Sequence, residues 1–369
     1  MTRGEATCEV LVLGGGPAGA AAAITAAAAG LSVTLIERDA SPRPAPGESL
    51  HPGVQPLLRQ LGVEGAVLAA GFLRHPGHVV RWGGADQYQP FGADAAGPWL
   101  GFQAWRPTFD ALLLDRAKSL GVTVRRPCRP TGVVVAGGRV VGVETTSGRL
   151  TAGVVVDATG RGRAVSRWLG LTWRQSGPAR RAWYGYASGP QAAAFAVPAL
   201  RADAGGWTWV ARVRPETCAW TRMNFDATRP AAGWRPPELA GMAADGPARG
   251  ADVTWRAADR PAGPGYVLAG DAAAALDPAA SHGVLKALMS GIAAGRLAAD
   301  ARRGAVPERV AAEHYSHWVG DWFDRDVSRL DELYARLPGT PAGTPVVTPA
   351  AGPPPPGGFA PPGRSEDRP

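Results

Sequence analysis

The sequence predicts an α/β protein: a dinucleotide-binding βαβ domain discontinuous in sequence, an inserted antiparallel or mixed sheet, and C-terminal helices. Three observations carry this. "CEVLVLGGGPAGAAAAITAAAAGLSVTLIERDA" reads strand, Gly loop, helix, strand. "VVVDATGR" and "GYVLAGDA" are short apolar runs closed by small residues, as buried parallel strands are. "GGWTWVARV", "TCAWTRMNF" and "ADVTWRAAD" alternate around tryptophans, as strands with one occupied face do.

In the first stretch, Val10 to Leu13 run into Gly14-x-Gly16-x-x-Gly19. Gly14 permits the tight turn, Gly16 lets backbone approach a pyrophosphate, and Gly19 lets helix and strand pack closely. The helix N-terminus aims N–H groups at the same anion. Glu37, about twenty residues on, closes the second strand where a carboxylate binds ribose hydroxyls. Residues 40–110 are broken by Gly and Pro. "TFDALLLDRAKSLGV" reads as a helix, and strands follow, with hairpin turns at Gly137-Gly138 and Ser147-Gly148. Helices end the folded part at "SRLDELYARL".

The boundaries drawn are 1–75, 106–175 and 261–303 for the nucleotide domain and 76–105 and 176–260 for the substrate domain. Residues 304–337 are C-terminal helices, and 338–369 are a Pro/Gly-rich tail too poor in apolar surface to order.

The 369 residues carry a net charge of +8, and 45% are hydrophobic. The basic excess is arginine, with Lys118 and Lys286 the only lysines, and no dense basic block marks a nucleic-acid partner. No apolar run is long enough to span a bilayer, and no secretory h-region precedes the first strand. Three cysteines without paired spacing suit a reducing compartment, so a cytoplasmic protein is expected. In "GFLRHPGHVVRWGG", His75 and His78 have the spacing of two ligands on a helical turn. Pro76-Gly77 between them rules out that helix, and no metal is expected.

The order and spacing of GxGxxG, the Ala-Thr-Gly after Asp157, and Gly270-Asp271 resemble flavoprotein hydroxylases of the para-hydroxybenzoate hydroxylase type and flavin-dependent halogenases. The resemblance spans residues 8–300. It implies a Rossmann-type, glutathione-reductase-like domain holding FAD. Gly14, Gly16, Ala18, Gly19, Glu37, Arg38, Ser49, Arg106, Gly160, Gly270, Asp271 and Gly283 would bind it, with Asp271 accepting from a ribityl or ribose hydroxyl. Arg106 also reads as a helix-capping surface arginine.

"PGESLHPG" resembles the Gly-Glu-Ser segment that lines the flavin pocket in these families, making Glu48 a catalytic candidate against an exposed loop carboxylate. Pro278 and His282 would lie beside the isoalloxazine. The halogenase loop F-x-x-K-x-G-x-x-x-R-W-G is matched by Phe72, Gly77, Arg81, Trp82 and Gly83, but His75 stands at its lysine, the relay for hypohalous acid. "WTWVAR" keeps Trp207 and Trp209 of the halogenase W-x-W-x-I-P without its Ile-Pro. Both departures favour direct hydroxylation by a flavin C4a-hydroperoxide, with O2 as co-substrate and NAD(P)H or a partner flavin reductase as reductant.

Catalytic candidates are thus His75, Glu48, His282 and Pro278, with Trp82, Trp207 and Trp209 facing substrate. Trp183, Trp220 and Trp255 are read as extending the same aromatic wall, and His78 as structural. "GESLHPGVQPLLRQLGV", "RHPGHVVRWGG" and "DPAASHGVLKALMSG" more narrowly resemble flavoproteins that oxidise tryptophan within a peptide or protein. The function implied is hydroxylation of an indole on a chain. A small-molecule aromatic hydroxylase, a halogenase and a non-catalytic FAD-containing scaffold are the alternatives.

Overall fold

A computed structural model describes residues 6–304 and 306–337; the proposed tail, 338–369, lies outside the described residues. Along the chain the elements used below are β1 (Ala6–Leu13), α1 (Pro17–Ala28), β2 (Val33–Ile36), β3 (Leu73–His75), β4 (Gly77–Arg81) and α2 (Arg106–Ser119). Then come β5 (Thr123–Arg125), β6 (Pro130–Ala136), β7 (Arg139–Thr145) and β8 (Gly148–Asp157). The second half adds β9 (Arg181–Ser188), β10 (Ala199–Asp203), β11 (Gly206–Arg214) and β12 (Thr217–Asn224). It closes with β13 (Tyr266–Leu268), α3 (Gly283–Arg303) and α4 (Glu308–Tyr334).

A parallel sheet runs β5-β2-β1-β8-β13, its central strands buried on both faces, with α1 packed against them. That double burial is why Val10 to Leu13 and Val154 to Val156 are continuous apolar runs. The β6–β7 hairpin adds antiparallel strands at the first half of β8, turning through Gly137 (φ +56°) and Gly138 (φ +73°) as expected. The next turn falls one residue earlier than expected. Thr145 pairs with Gly148, and its hydroxyl accepts from Ser147 N at 3.0 Å, so Thr146-Ser147 form the turn.

The alanines of α1 have a packing reason: Ala20 to Ala23 are fully buried. Their backbone meets α3 closely enough that a Cβ on Gly291 would overlap the Ala18 carbonyl.

The second sheet is mixed. β9, β12, β11 and β10 pair antiparallel in that order, and β4 joins β10 in parallel. Its face toward the parallel sheet carries Tyr186, Ala219, Trp209, Thr221, Trp207 and Met223, as the cross-strand pairs Tyr186↔Ala219, Trp209↔Thr221 and Trp207↔Met223 require. Trp183 and Trp220 occupy the other face, one residue out of phase, and pack with Val210, Leu239 and Met242 in a second small core. Trp255 lies on a separate three-stranded sheet. None of these three extends the aromatic wall as the sequence reading had them do; strand periodicity and pairing put them elsewhere. Among the described residues no helix is long and apolar enough to cross a membrane.

Candidate functional site

Where the parallel strands end, a cleft of about 580 Å³ runs from the Gly14–Ala18 loop to the inward face of the second sheet. Such clefts at strand C-termini hold nucleotides in doubly wound sheets. At one end, Gly14 (φ +103°) turns β1 into α1, where only glycine sits without strain. A Cβ on Gly19 would overlap the Gly14 carbonyl oxygen, whereas one on Gly16 meets no protein atom within 4 Å. The open space over Gly16, at the N-terminus of α1, fits a pyrophosphate.

The Glu37 carboxylate accepts from Gly15 N at 2.7 Å and Asp39 N at 2.9 Å, so it is fixed at the rim. Ala18, Arg38, Ser49, Gly160, Gly270 and Gly283 line the same cleft, with the Arg38 side chain half exposed beside Asp39. Asp271 also lines it, but its carboxylate is paired with Arg161 Nε at 3.1 Å. Arg106 is a buried tether rather than a surface cap. Its fork donates to both Asp110 oxygens at 3.0 Å and to the Pro46 carbonyl at 2.7 Å, holding the loop that carries Glu48.

At the other end Glu48 is buried. Its Oε1 accepts from the Tyr186 hydroxyl at 2.6 Å, and burial pushes its carboxyl up to about 7. Ser49 Oγ donates to Gln103 Oε1 at 2.7 Å and receives Trp209 Nε1–H at 3.1 Å, which fixes that indole beside the Glu48 loop. Trp207, fully buried, donates to the Tyr334 hydroxyl at 2.8 Å. Pro278, His282, Trp207 and Trp209 all line the cleft. Burial drives the His282 imidazolium down to about 3, so that ring is neutral at physiological pH.

The paired histidines separate. His75 ends β3 and His78 lies on β4, with the Pro76 break between them. His75 is 2% exposed and lines no part of the cleft. Its Nδ1–H donates to the Gly77 carbonyl at 2.8 Å, which leaves Nε2 bare and without a partner. Its ring, with those of His51 and His78, surrounds Phe91 at 5.3, 5.3 and 5.6 Å. His51 in turn meets His282 at 5.3 Å and His78 meets Trp209 at 6.1 Å. Trp82 is drawn away to the C-terminal helix, donating to the Leu333 carbonyl at 2.6 Å. Among the described residues no cluster of three His, Cys, Asp or Glu side chains is set to hold a metal.

Sequence reasoning did not single out His51, Tyr186, Lys286 or Tyr334. For Tyr186 a signal existed: in "RAWYGYAS" it alternates with Trp183 and so takes the opposite face. Lys286 lines the cleft from α3, touching the Asp326 carboxylate and lying 4.1 Å from the Trp322 ring. Burial pushes its ammonium down to about 7, while the adjoining carboxylate pulls the other way. Its signal was being one of two lysines in the chain. Nothing local marked Tyr334 or His51.

A family model for FAD dependent oxidoreductases matches residues 9–241. Flavin-dependent halogenase armH2 of Armillaria mellea is 28% identical, covering 91% of this chain and 74% of its own length. Tryptophan 2-halogenase of Chondromyces crocatus is 28% identical over 83% of this chain, which spans only 64% of that protein. Among solved structures, the myxobacterial chondrochloren halogenase CndH superposes with a TM-score of 0.82 at 25% identity, covering 91% of this chain and 84% of its own. The peptidyl tryptophan dihydroxylase QhpG shares the fold, with a TM-score of 0.69 at 24% identity over 90% of this chain and 76% of its own.

Proposed function

Because the chain belongs to the FAD dependent oxidoreductase family, we propose that it oxygenates an electron-rich aromatic ring, the indole of a tryptophan residue in a peptide or protein. A ring C–H becomes C–OH. One oxygen atom of O2 enters the ring and the other leaves as water, with two electrons from NAD(P)H or a partner flavin reductase.

The observation that supports oxygenation over halogenation is His75. At the place of the halogenase lysine stands a neutral, 2% exposed imidazole that does not reach the cleft. Its burial holds the imidazolium below the usual histidine range.

FAD, when bound, supplies the oxygen activation. The chain's own residues do the rest. The Gly14–Gly19 loop and the first turn of α1 would hold the pyrophosphate, and Glu37 the ribose. Trp209, pinned through its N–H to Ser49, gives the substrate ring a flat aromatic neighbour. Glu48, with Oε1 accepting from Tyr186, would take the proton the ring loses. His51 packs against His282 and His78 against Trp209, backing two rings that line the cleft.

Halogenation is the second reading, favoured by Lys286, an amine lining the same cleft from another element, and by the halogenases the chain resembles. The test is turnover with reductant, O2, bromide and a tryptophan-containing peptide, read by product mass. A gain of one or two oxygens supports the proposal; a bromine overturns it for halogenation. No flavin-dependent product, with slow flavin reduction, would leave a non-catalytic scaffold.

A further inference from the structure

We propose that Tyr334, the last residue of α4, is a positioning residue that locks the turn opening α3 to the aromatic wall of the cleft. Its hydroxyl donates to Asp277 Oδ2 at 2.5 Å and accepts from Trp207 Nε1 at 2.8 Å. The other Asp277 oxygen accepts from Ala279 N at 2.8 Å, so this carboxyl caps the Pro278–Ala280 turn that leads into α3. Asp277 is 2% exposed, Tyr334 7% and Trp207 0%, so none of these polar atoms can exchange its partner for bulk water.

The phenol ring is held as firmly as its hydroxyl. Trp82 lies 5.5 Å and Trp255 5.9 Å from it, and the Arg180 guanidinium sits 5.0 Å from its centroid. One side chain from a third element therefore joins two parts of the site. The turn brings Pro278 and His282 to the cleft, and the wall brings Trp207 and Trp209. Without the hydroxyl, Asp277 loses its link to the wall, and Trp207 loses its acceptor. Turn and wall then lose the bridge that fixes the flavin end of the cleft.

This inference rests on FAD occupying the cleft. Its readout is FAD affinity, from a flavin fluorescence titration of the full chain, with the visible flavin spectrum alongside. Tyr334→Phe is expected to raise the FAD Kd about ten-fold and to shift the flavin bands. Tyr315→Phe is the control, since it removes another buried α4 hydroxyl, one that donates to the Leu268 carbonyl at 2.7 Å. It is expected to lower the melting temperature and leave the Kd within two-fold of wild type. In an Asp277→Ala background Tyr334→Phe should have no further effect. Asp277→Asn, which keeps an acceptor, should bind FAD more tightly than Asp277→Ala.

The proposal is overturned by any of four results. These are an unchanged Kd in Tyr334→Phe, an equal loss in Tyr315→Phe, losses at 334 and 277 that multiply, or equal Kd values for the two Asp277 variants. A wild-type chain that binds no FAD would overturn the cofactor assignment and this proposal together, whereas the four results above overturn the proposal alone.

Discussion

The two ends of the cleft are built differently. The Gly14–Glu37 end is made of backbone: a turn, a helix start and one carboxylate bonded to two main-chain N–H groups. The Trp209 end is made of side chains from four separate stretches, those of Glu48, Tyr186, Trp209 and His282, each placed by a partner far away in sequence. A backbone site is specified by spacing, so substitutions there act through sterics. A side-chain site is specified by packing, so substitutions there act through chemistry and pKa.

The sharpest way to break this contrast is at the glycines. Gly19→Ala puts a Cβ into the Gly14 carbonyl. It is expected to cost about 3 kcal/mol of stability, the upper end for overpacking, with loss of bound flavin. Gly16→Ala meets no protein atom. It should melt like wild type as apoprotein yet bind FAD at least ten-fold more weakly, because the methyl enters the space the pyrophosphate needs. Thermal melts of the apoproteins and FAD titrations check both. If Gly16→Ala destabilised the apoprotein as much as Gly19→Ala, the open space over Gly16 would have a structural role and the contrast would fail.

Glu48 tests the other end. Glu48→Gln keeps the shape and the Tyr186 contact but accepts no proton. A fall in turnover of about 100-fold is expected for a lost general base. The wild-type rate should rise with pH through about 7, where burial has moved the carboxyl, and that limb should vanish in the variant. The stability sign follows from the same shift. The unfolded chain ionises Glu48 near 4.5 and the folded one near 7, so the carboxyl progressively disfavours the fold as pH rises between those values, and by a constant amount above. Wild type should therefore lose melting temperature relative to Glu48→Gln between about pH 4.5 and 7. Parallel pH profiles for the two proteins would show that the carboxyl stays ionised and has no part in proton transfer.

The same contrast explains what was legible in the sequence. The βαβ unit, the parallel strands and the β6–β7 hairpin turn follow from local periods and glycine spacing. The chain wrote them within a few tens of residues. The aromatic wall was half legible. Alternation puts Trp207 and Trp209 on one face, but which face Trp183 and Trp220 share depends on cross-strand register, and "TCAWTRMNF" holds no information on its partner's phase. Tyr334 was not legible at all. Its value comes from where a helix of 27 residues happens to end, against a carboxyl at position 277. Arg106 shows the intermediate case. Its place before a helix was readable, but its burial against Asp110 and the Pro46 carbonyl was not.

The smallest effect on chemistry is expected at His75, although the sequence singled it out most strongly. Register with the halogenase loop makes His75→Lys look like a route to a relay amine. The structure argues otherwise. The side chain lies behind Phe91, with Nε2 close to the Gly101 backbone, where even a Cβ would come within 2.8 Å. A lysine there must bury an unpaired ammonium or displace β3, at a cost on the order of 3 kcal/mol. Urea unfolding should show that loss, and product mass in bromide should stay that of wild type. His75→Ala should likewise cost stability and leave the rate within a few-fold. Bromination appearing in His75→Lys would mean that β3 and β4 can turn this position into the cleft. The loop would then be part of the reactive end, and packing alone would no longer decide which of its side chains meet the substrate.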